Sequence, residues 1–511
     1  RGVELDMRND EIVHQSGLVS GSMLYLGALP GNMGLSQAGE TKFKRTTFTG
    51  WGKCPVAPAH LRPVYKGGLL IRPMHQAMAL YKTPVRPCVL NRASAVMGLA
   101  MRQHINLTAD CTRKILTYEE AVEGVPAMKL KNINRSTSPG WPWRLRATNG
   151  KKDIFGEAEE YDYSTDLAKE VRARVDDIVA AAKRGERLCH LFCDFLKDET
   201  RTLEKVDSVA TRAISGAPLD YTIAVRMYFG SFLSSCYTYH TLSGMAPGIN
   251  HYSEWSTLAE ALLAKGDKIF AGDFKAFDAS EQPEIHALIL SYINDWYDRF
   301  EPDPVGRQVR TVLFEDLMHS RHLTGDGSKL EHVVQWNKSL PSGHPLTTAV
   351  NSMYSLYTLT ACYCHLTGDY EHMWDKVFLC TYGDDNINSA SDDVIEVFNQ
   401  VTVAGAMKEL FHLTYTSDKK GAELVPYESI SDVTFLKRSF VQSVVDGGWI
   451  APLAMDSILY RTYFYKNDRT LSKDLAVNFH EALMELALHP ESEWGERFSA
   501  AVSYCRDCGI D

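Results

Sequence analysis

The sequence predicts an α+β fold in which a few strands are set among many helices. Apolar residues recur at helical spacing across residues 164–183, and Ser164 or Thr165 can serve as the N-cap of that helix. Residues 268–272 instead form a short apolar run that is typical of a buried strand. A second apolar run at residues 377–379 leads into the segment TYGDDN, and an apolar run followed by a Gly-containing turn predicts a β-hairpin.

The other elements follow in chain order from the same two patterns. Residues 1–110 are rich in Gly, Pro and short apolar segments, which predicts loops and strands without regular helices. The sequence also predicts helices at residues 258–264, 284–297, 345–365 and 394–410, paired strands at residues 433–445, and helices in about the last 55 residues.

Length and composition restrict the class of protein. A chain of 511 residues exceeds a single hydrophobic core, so we expect several subdomains that share interfaces. No apolar stretch approaches the ~20 residues that span a bilayer, and the N-terminal residues are too polar for a secretory signal, so we expect no intrinsic membrane insertion. Eleven Cys without regular spacing fit reduced thiols in a cytosolic setting.

Charge is unevenly distributed along the chain. The net charge of −10 argues against a protein that coats nucleic acid indiscriminately. Residues 41–109 nevertheless contain eleven Lys and Arg, no Asp or Glu, and interleaved aromatic residues. A solvated basic face is one explanation, but such faces usually mix both signs, so we interpret this stretch as a surface for a polyanion.

The acid pair Asp384 and Asp385 is the most informative candidate for chemistry. In the predicted hairpin both carboxylates stand at a rigid, exposed tip. Like charges so close are costly unless a cation neutralises them, and hard oxygen ligands suit Mg²⁺ or Mn²⁺. A solvated acidic turn is the simpler explanation of an isolated pair, so the rest of the chain decides between the two.

Two further segments place polar side chains where they could reach the same site. In GDFKAFDAS, Asp273 stands at the end of a predicted strand, whereas Asp278 is either the N-cap of the next helix or a carboxylate aimed at a sugar hydroxyl. In PSGHPLTTAVN, Thr347 and Asn351 are four residues apart and therefore share a helix face. Ser342 lies in the preceding turn. Helix capping would explain a serine there, but it would not explain the polar residues Thr347 and Asn351 on an otherwise apolar helix.

Basic and aromatic segments complete the set of candidates. Trp141 and Trp143, in a rigid Pro/Gly turn, are either core residues or a stacking platform for a single strand. The segment FLKRSF predicts an amphipathic strand with a cationic face. The segment LKDETRTLEKVDSVATR is either a solvated charged loop or a lining for a triphosphate, because Arg and Lys clamp phosphate oxygens. Its candidate cations are Lys197, Arg201, Lys205 and Arg212.

In this order, the segments SPGWPW, KDETR, DFKAFD, SGHPLTTAVN, YGDD and FLKR resemble the motif set of viral RNA-dependent RNA polymerases. The chain looks closest to the polymerases of picornaviruses and related positive-strand RNA viruses, many of which infect insects. The resemblance covers residues 136–440; YGDD alone is only moderately specific, but the whole series in order is highly specific. It implies a closed right hand of fingers, palm and thumb, with an RRM-like antiparallel sheet in the palm.

The same resemblance implies catalytic roles. Asp273 and Asp384 match the metal-binding aspartates, with Asp385 as a weaker or alternating ligand, and the cofactor is Mg²⁺ with Mn²⁺ as a substitute. Two such ions would activate a primer 3′-hydroxyl and stabilise the leaving pyrophosphate during template-directed RNA synthesis. Lys419 resembles the general acid that protonates pyrophosphate, and the adjacent Lys420 is the alternative.

Binding roles follow from the same motifs. A ribose-sensing network and a basic loop that guides the triphosphate are both implied, with Arg212 as the best-matched triphosphate contact. His344 and Pro345 depart from the small residues of many relatives, which would stiffen their loop. The implied nucleotide-binding residues are Lys197, Arg201, Lys205, Arg212, Asp278, Ser342, Thr347 and Asn351. The implied RNA-binding residues are Ser136, Thr137, Ser138, Trp141, Lys437 and Arg438.

The resemblance also implies partners, location and domain order. Template and primer RNA, nucleoside triphosphates, a genome-linked protein primer and other viral replication proteins are expected, at membrane-associated replication complexes in the host cytoplasm. Initiation without a primer is the alternative to priming by a uridylylated peptide. The expected domains are fingers with an N-terminal fingertip segment at residues 1–228, palm at 229–314, a fingers insertion at 315–334, palm again at 335–446 and thumb at 447–511.

Three other classes of protein use similar residues. A reverse transcriptase has a comparable aspartate pair but normally carries a bulky residue where Asp278 stands. A two-metal nuclease would not need the ribose-sensing network. An RNA-binding scaffold without catalysis would not need to retain all three acids of the predicted metal site.

Overall fold

The computed structural model describes residues 22–30, 39–325, 330–466 and 471–510. Its strands are β1 (Met23–Pro30), β2 (Phe43–Arg45), β3 (Val56–Pro58), β4 (Val64–Lys66), β5 (Leu69–Ile71), β6 (Leu191–Leu196), β7 (Thr200–Thr202), β8 (Ala213–Gly216), β9 (Ile269–Phe274), β10 (Arg321–Thr324), β11 (Leu330–Trp336), β12 (Val377–Tyr382), β13 (Asp385–Ala390), β14 (Tyr415–Ser417), β15 (Val441–Gln442), β16 (Trp449–Ile450) and β17 (Phe464–Lys466). Its α-helices are α1 (Pro73–Ala79), α2 (Ala93–Ala100), α3 (Arg102–Leu107), α4 (Tyr118–Glu123), α5 (Lys152–Phe155), α6 (Asp166–Lys183), α7 (Leu203–Asp207), α8 (Leu219–Thr238), α9 (Trp255–Leu263), α10 (Phe277–Ser280), α11 (Pro283–Asp298), α12 (Pro304–Met318), α13 (Thr347–Thr367), α14 (Met373–Lys376), α15 (Gln400–Phe411), α16 (Met455–Thr462), α17 (Leu471–Leu486) and α18 (Glu491–Asp507).

A five-stranded sheet combines strands from distant parts of the chain, in the order β1-β11-β10-β6-β8. β10 runs parallel to β6, and the other neighbours are antiparallel. Helices α6, α8 and α12 pack against one another. The helix expected from residue 164 is confirmed as α6, and Thr165 is its N-cap because its hydroxyl accepts a hydrogen bond from Ala168 N at 3.0 Å.

A four-stranded antiparallel sheet, in the order β12-β13-β9-β14, forms the second framework. The predicted hairpin is confirmed as β12 and β13, and the predicted strand at residues 268–272 is confirmed as β9. Helix α13 packs against β12, and α15 packs against β9 and β14. Because nearly all side chains of α13 are buried on every face, this helix forms the centre of the core rather than a surface element.

The N-terminal region reaches across the molecule to the C-terminal helices. β2 pairs antiparallel with β17, and Phe48 packs with Leu475 and Phe479 of α17 and with Tyr504 of α18. Trp51 Nε1 donates to the Arg497 carbonyl at 2.9 Å. This contact closes the molecule in the way that the expected closed right hand requires. None of the helices in the described ranges combines the length and the apolar character that crossing a bilayer requires.

The expectation that residues 1–110 lack regular helices is wrong within the described ranges. Helices α1, α2 and α3 all lie there, and α2 buries Val96, Met97 and Leu99 against α11 and α13. Packing against these long helices stabilises short segments that Gly and Pro content alone would place in loops. Residues 1–21 and 31–38 of this expectation lie outside the described residues.

The paired strands expected at residues 433–445 are also wrong for most of that range. Only β15 is a strand there, and it pairs with β16. Phe435 and Arg438 instead exchange two backbone hydrogen bonds of 2.9 Å across a two-residue turn. The turn residues Leu436 and Lys437 have φ values of 55° and 59°, so the chain reverses where the alternating pattern predicted an extended strand.

The remaining helices expected from the sequence are confirmed with shifted bounds. They are observed as α9, α11, α13, α15, α16, α17 and α18. Helix α15 begins at residue 400 rather than 394, because Asn399 caps it: its side chain accepts hydrogen bonds from Val401 N and Thr402 N. Helix α8 runs without a break through residue 228, so the domain boundary predicted there falls inside a helix.

Candidate active site

The hairpin brings Asp384 next to Asp273, although the two residues are far apart in the sequence. β13 pairs antiparallel with β9, and Asn386 lies opposite Gly272. Asn386 Nδ2 also donates to the Gly272 carbonyl at 2.9 Å, which fixes this register with a side-chain contact. Asp273, the next residue of β9, therefore lies beside the turn that carries Asp384.

Helix α13 fixes the position of the hairpin turn. The hydroxyl of Ser352 accepts a hydrogen bond from Gly383 N at 2.9 Å, and the hydroxyl of Ser355 donates to the Gly383 carbonyl at 2.6 Å. Gly383 has a φ of 64°, a left-handed conformation that glycine adopts without a steric penalty. The turn is thus rigid on both sides of the peptide that precedes Asp384.

The environment of Asp384 favours a bound cation. Asp384 is exposed to the cavity, yet the surrounding protein desolvates its carboxyl group. This desolvation, and then the Asp273 carboxyl within hydrogen-bonding reach, raise the pKa of Asp384 to about 6. A divalent cation would remove the repulsion by pairing with both carboxylates.

The two carboxylates alone fit Mg²⁺. Within the described ranges, no group of three or more His, Cys, Asp or Glu side chains converges to hold a metal ion. Mg²⁺ does not need such a cage, because proteins usually hold it with one or two carboxylates together with waters and substrate phosphates. Asp273 and Asp384 supply the hard oxygen ligands that this type of site requires.

Asp385 makes a different contact. Its Oδ2 accepts a hydrogen bond from Leu436 N at 2.8 Å. Burial raises the pKa of Asp385 to about 8, although this hydrogen bond acts in the opposite direction. With one oxygen committed to the backbone, Asp385 links the hairpin to the turn that contains Leu436, and Asp273 with Asp384 form the better-placed ligand pair.

The predicted sugar-recognition residues Asp278 and Asn351 contact each other. Asn351 Nδ2 donates to Asp278 Oδ1 at 2.7 Å. Asn351 Oδ1 is buried and accepts no hydrogen bond from the described part of the chain, so it is an acceptor available to a ligand hydroxyl. Burial raises the pKa of Asp278, although the bond from Asn351 opposes the shift. The alternative that Asp278 is an N-cap is wrong, because Ala276 precedes α10 and no side chain caps this helix.

Ser342 and Thr347 have different positions relative to this pair. Ser342 lines the same cavity as Asp278. The Thr347 hydroxyl instead donates to the carbonyls of His344 at 2.8 Å and Pro341 at 3.2 Å, and Thr347 does not line the cavity. Thr347 therefore stabilises the turn before α13, and its predicted contact with the sugar has no support in this arrangement.

A cavity of about 610 Å³ joins Asp384, the sugar-recognition pair and the basic segment, whereas Asp273 and Asp385 do not line it. Lys205 does not line this cavity. Burial, and then the nearby positive charge of Arg201, lower the pKa of Lys205. The predicted residues that do line the cavity are Lys197, Arg201, Arg212, Asp278, Ser342, Asn351 and Asp384.

Glu199 organises the cations of this cavity and was not identified from the sequence. Its carboxylate accepts from Arg212 Nε at 2.7 Å, lies 3.1 Å from Arg201 NH1 and lies 3.5 Å from Lys197 Nζ. Burial alone would raise its pKa, but the hydrogen bond from Arg212 and the other two cations lower the pKa of Glu199 to about 2. In the sequence, the alternation of signs in KDETR was equally compatible with a solvated loop, which concealed this role.

The two candidate general acids are both paired with carboxylates. Lys419 Nζ forms an ion pair with Glu428, and Lys420 Nζ lies 3.4 Å from Glu204. Neither lysine lines the cavity that contains Asp384. Either one would have to leave its carboxylate partner to reach a leaving group.

A second cavity, of about 1030 Å³, contains part of the predicted RNA-binding turn. Thr137 and Ser138 line it, whereas Ser136 is exposed beside it. Lys151, which sequence reasoning missed, donates to Thr137 Oγ1 at 2.5 Å and to the Ser138 carbonyl at 2.8 Å and so fixes the turn. The basic residues that line this cavity are Lys129, Lys131, Arg144, Lys151 and Arg226.

Trp141 is not brought to the cavity that Thr137 and Ser138 line. It lines a separate cavity of about 670 Å³ together with Trp143 and His190. Trp143 is buried, which favours the core alternative for that residue. The predicted stacking of Trp141 on RNA therefore has no support in this arrangement.

The two cations of FLKR have separate environments. Lys437 is exposed. Arg438 is only 7% exposed, and its guanidinium donates to both carboxylate oxygens of Glu485, at 2.8 Å and 2.6 Å. The prediction that Arg438 contacts RNA is corrected by this pairing, which assigns Arg438 to the contact with α17.

Two cations of the basic stretch at residues 41–109 lie against aromatic rings. Arg45 lies 4.8 Å from the centre of the Tyr463 ring, and Arg92 lies 4.7 Å from the centre of the Tyr370 ring. Both arginines remain exposed, so the interpretation of this stretch as a surface for a polyanion stays a prediction.

The closed molecule, the palm-like sheet and the acid pair at its hairpin together define a right-hand polymerase. The family model described as Viral RNA-dependent RNA polymerase matches residues 46–505. This match covers most of the chain, and the chain belongs to that family.

The most similar relatives include two replicase polyproteins of insect viruses. The chain is 34% identical over 415 residues to the polyprotein of Acute bee paralysis virus (strain Rothamsted), a match that covers 76% of this chain and 21% of that polyprotein. It is 31% identical over 489 residues to the polyprotein of Cricket paralysis virus, with coverages of 91% and 27%. The chain therefore spans only about a quarter of the length of these curated relatives.

A solved structure supports the fold class independently. The chain superimposes on the structure named Sicinivirus 3Dpol RNA dependent RNA polymerase with a TM-score of 0.79 and 19% sequence identity. The match covers 95% of this chain and 96% of the other. The predicted α+β right-hand fold is confirmed.

Proposed function

We propose that this chain carries out template-directed RNA synthesis from ribonucleoside triphosphates during replication of a positive-strand viral RNA genome. The observation that carries the proposal is that Asp384, Asp278, Asn351 and Arg212 line one cavity. Their side chains meet three separate requirements of nucleotidyl transfer, namely neutralisation of charge at the reacting phosphate, recognition of the sugar and retention of the triphosphate.

In this proposal, Asp273 and Asp384 hold Mg²⁺, with Mn²⁺ as a substitute. Bound divalent ions would stabilise the charge that develops at the reacting phosphate and at both flanking oxygens. The chain itself contributes a rigid turn at Gly383, which keeps the two carboxylates in a fixed relation. Asp385 helps to hold the hairpin in place through the hydrogen bond that it accepts from Leu436 N.

The pair Asp278 and Asn351 selects ribonucleotides. Asn351 is held by its donation to Asp278, so its free Oδ1 is oriented before the nucleotide arrives. A ribose hydroxyl can donate to that buried acceptor, whereas a deoxyribose leaves it unpaired at a cost of about 1–3 kcal/mol. Ser342 completes the polar wall of the same cavity.

The triphosphate is held by the cations that Glu199 orders. Arg212 presents a planar guanidinium suited to two phosphate oxygens, and Arg201 and Lys197 share the same carboxylate partner. The bound triphosphate would replace Glu199 as the main partner of Arg212. Lys205 adds positive charge from beside the cavity.

Lys419 is proposed as the general acid for the leaving pyrophosphate, and Lys420 is the alternative. Both side chains are more than a third exposed, which allows them to exchange their carboxylate partners for a phosphate. Lys419→Leu and Lys420→Leu variants distinguish them, because only the general acid should slow the chemical step in single-turnover measurements.

Template and primer RNA would occupy the positively lined surfaces next to this cavity. Thr137 and Ser138, fixed by Lys151, contribute to the larger cavity, and exposed Lys437 can approach a backbone phosphate. The domain boundaries are proposed as expected from the sequence, and the first of them, at residue 228, lies inside α8.

The wider setting is also a proposal. Because the similar relatives are polyproteins, we propose that this polymerase is released from one and acts with other viral replication proteins. Priming by a genome-linked peptide and a location at membrane-associated replication complexes in the host cytoplasm follow from the family resemblance.

A primer-extension assay tests the proposal directly. The protein is supplied with RNA or DNA templates, and with ribonucleotides or deoxyribonucleotides, in the presence of Mg²⁺ or Mn²⁺. We expect extension on RNA with ribonucleotides and little extension in the other combinations. Preferred use of deoxyribonucleotides would favour a reverse transcriptase instead, and degradation of the template would favour a nuclease.

A further inference from the structure

His344 joins the turn before α13 to the core of the five-stranded sheet. Its side chain is 4% exposed and lies near-parallel to the Phe192 ring of β6, at 18° and 6.0 Å between centres. Its Nε2 lies 2.6 Å from the Tyr221 hydroxyl of α8, and its Nδ1 accepts from Leu346 N at 3.1 Å. The turn that contains Ser342 is therefore attached through this one side chain to elements that do not touch the nucleotide cavity.

The contacts determine where each proton lies. Burial, and then the nearby His286, lower the pKa of His344 to about 3, so the ring is neutral and has one donor and one acceptor nitrogen. Nδ1 must be the acceptor, because its partner is a backbone N–H. The Tyr221 hydroxyl donates to the Leu313 carbonyl at 2.7 Å, so it must accept from His344 Nε2–H. The two assignments agree, and they give a directional chain from Leu346, just before α13, through His344 and Tyr221 to Leu313 of α12.

The turn itself has no free space on its other side. A Cβ atom added at Gly343 would lie 2.0 Å from the Ser215 carbonyl oxygen of β8. The backbone of Gly343 is thus pressed against β8 while the next side chain enters the core. Ser342, which lines the nucleotide cavity, is the residue immediately before this anchored segment.

We propose that Tyr221 and His344 are positioning residues that hold Ser342 in register with Asp278 and Asn351, and so support selection of the ribose. Tyr221 lines neither cavity that we assign to nucleotide or RNA, so its effect would pass only through His344. This inference rests on the proposed function, since sugar selection has meaning only for a polymerase.

Four variants of the full chain test the inference. Tyr221→Phe removes the hydroxyl in the middle of the chain of hydrogen bonds. His344→Asn keeps an acceptor near the Nδ1 position but loses the donor to Tyr221, whereas His344→Gln keeps a donor near the Nε2 position. Tyr292→Phe is the matched control, because the Tyr292 hydroxyl makes a similar buried bond to His104 Nδ1 at 2.7 Å and lines neither cavity.

The readout is the ratio of kcat/KM for a ribonucleotide to kcat/KM for the matching deoxyribonucleotide. We expect Tyr221→Phe and His344→Asn to lower this ratio by roughly three- to tenfold, as loss of one oriented hydrogen bond would. His344→Gln and Tyr292→Phe should keep the wild-type ratio. A purely structural role would reduce both kcat/KM values equally and leave the ratio unchanged.

The outcomes separate this inference from the proposed function. If the wild-type protein is active, and Tyr221→Phe and Tyr292→Phe have the same ratio of ribonucleotide to deoxyribonucleotide kcat/KM, the inference is overturned but the proposed function is not. Failure of the His344→Gln variant to retain more selectivity than His344→Asn also contradicts it. A wild-type protein without template-directed incorporation would remove the proposed function, and this inference with it.

Discussion

The carboxylate of Asp385 accepts a hydrogen bond from Leu436 N at 2.8 Å and so joins the acidic hairpin to a strained turn. Leu436 and Lys437 both have positive φ values, which non-glycine residues adopt at a cost of about 1–2 kcal/mol each. The turn is held on one side by Asp385 and on the other by the pairing of Arg438 with Glu485 of α17. The position of the C-terminal helices is thereby linked to the acidic site.

Removal of Arg438 should strongly destabilise the fold. Arg438→Gln would leave the Glu485 carboxylate buried without its ionic partner, which typically costs about 3–5 kcal/mol. Urea unfolding of the variant and the wild type measures this difference. Lys437→Gln is the matched control, since an exposed neighbour should change stability by no more than about 0.5 kcal/mol. Equal effects of the two substitutions would contradict the burial of Arg438.

For RNA binding we expect the reverse: substitution of Lys437 should weaken it, and substitution of Arg438 should not. Lys437→Gln should weaken binding to single-stranded and primer–template RNA and reduce the slope of log K against log salt by about one, as loss of one phosphate contact would. Arg438→Gln should leave that slope unchanged for the folded fraction, because its guanidinium is committed to Glu485. A salt titration monitored by fluorescence anisotropy distinguishes the two.

The pair Asp273 and Asp384 was predictable because each side chain occupies a position that its local pattern specifies. Asp273 lies near the end of a short apolar strand, and a Gly-containing hairpin turn carries Asp384. The local sequence pattern predicts both of these elements, and therefore the position of each acid. The order of the motifs then predicted that they meet. The local pattern left Asp278 as either an N-cap or a sugar contact, and only the family resemblance grouped it with Asn351, which it contacts in the structure.

Contacts formed by distant residues could not be read from the sequence. Arg438 looked like a free cation because Glu485 is 47 residues away, and nothing local to FLKR signals that pairing. The family resemblance implies a sugar contact for Thr347, but its hydroxyl bonds to the turn before the helix. Glu199 lies in a segment whose alternating charges fit either a solvated loop or a triphosphate lining, and only the fold shows three cations around it. Pairing and burial decide such roles, and neither has a local sequence signal.

Loss of Asp278 should relax the choice of sugar. Asp278→Ala removes the partner that orients Asn351, so discrimination against deoxyribonucleotides should fall by about tenfold. Steady-state incorporation of matched ribo- and deoxyribonucleotides on one RNA template measures this discrimination. Asp393→Ala, which changes an exposed carboxylate near the end of β13, should keep the wild-type ratio. An unchanged ratio in Asp278→Ala would leave this residue with a structural role only.

Stabilisation by Mn²⁺ should depend on pH. In the metal-free protein the pKa of Asp384 is raised from its ordinary 3.8 to about 6, so the folded state binds this proton more tightly than the unfolded chain. That contribution to stability is complete below pH 3.8 and is lost as the pH rises through about 6. Because the cation needs ionised carboxylates, Mn²⁺ should raise Tm little at about pH 5 and much more at about pH 7.5.

The control for this pH dependence is Asp384→Asn, which has no such proton to lose. Differential scanning measurements with and without Mn²⁺ should show a much smaller difference between the two pH values in this variant. If the variant gains as much from Mn²⁺ at high pH as the wild type, other carboxylates must hold the ion.

The most direct test of the central claim, that Asp273 and Asp384 together hold the cation that supports nucleotidyl transfer, is the incorporation rate across a Mn²⁺ titration. Asp273→Asn and Asp384→Asn are compared with Asp392→Asn, whose exposed carboxylate pairs with Lys268 at 2.7 Å. We predict a loss of roughly a thousandfold or more in each of the first two, because metal stabilisation is worth several kcal/mol, and normal rates in the third. Incorporation that persists at the wild-type rate in Asp384→Asn would contradict the account.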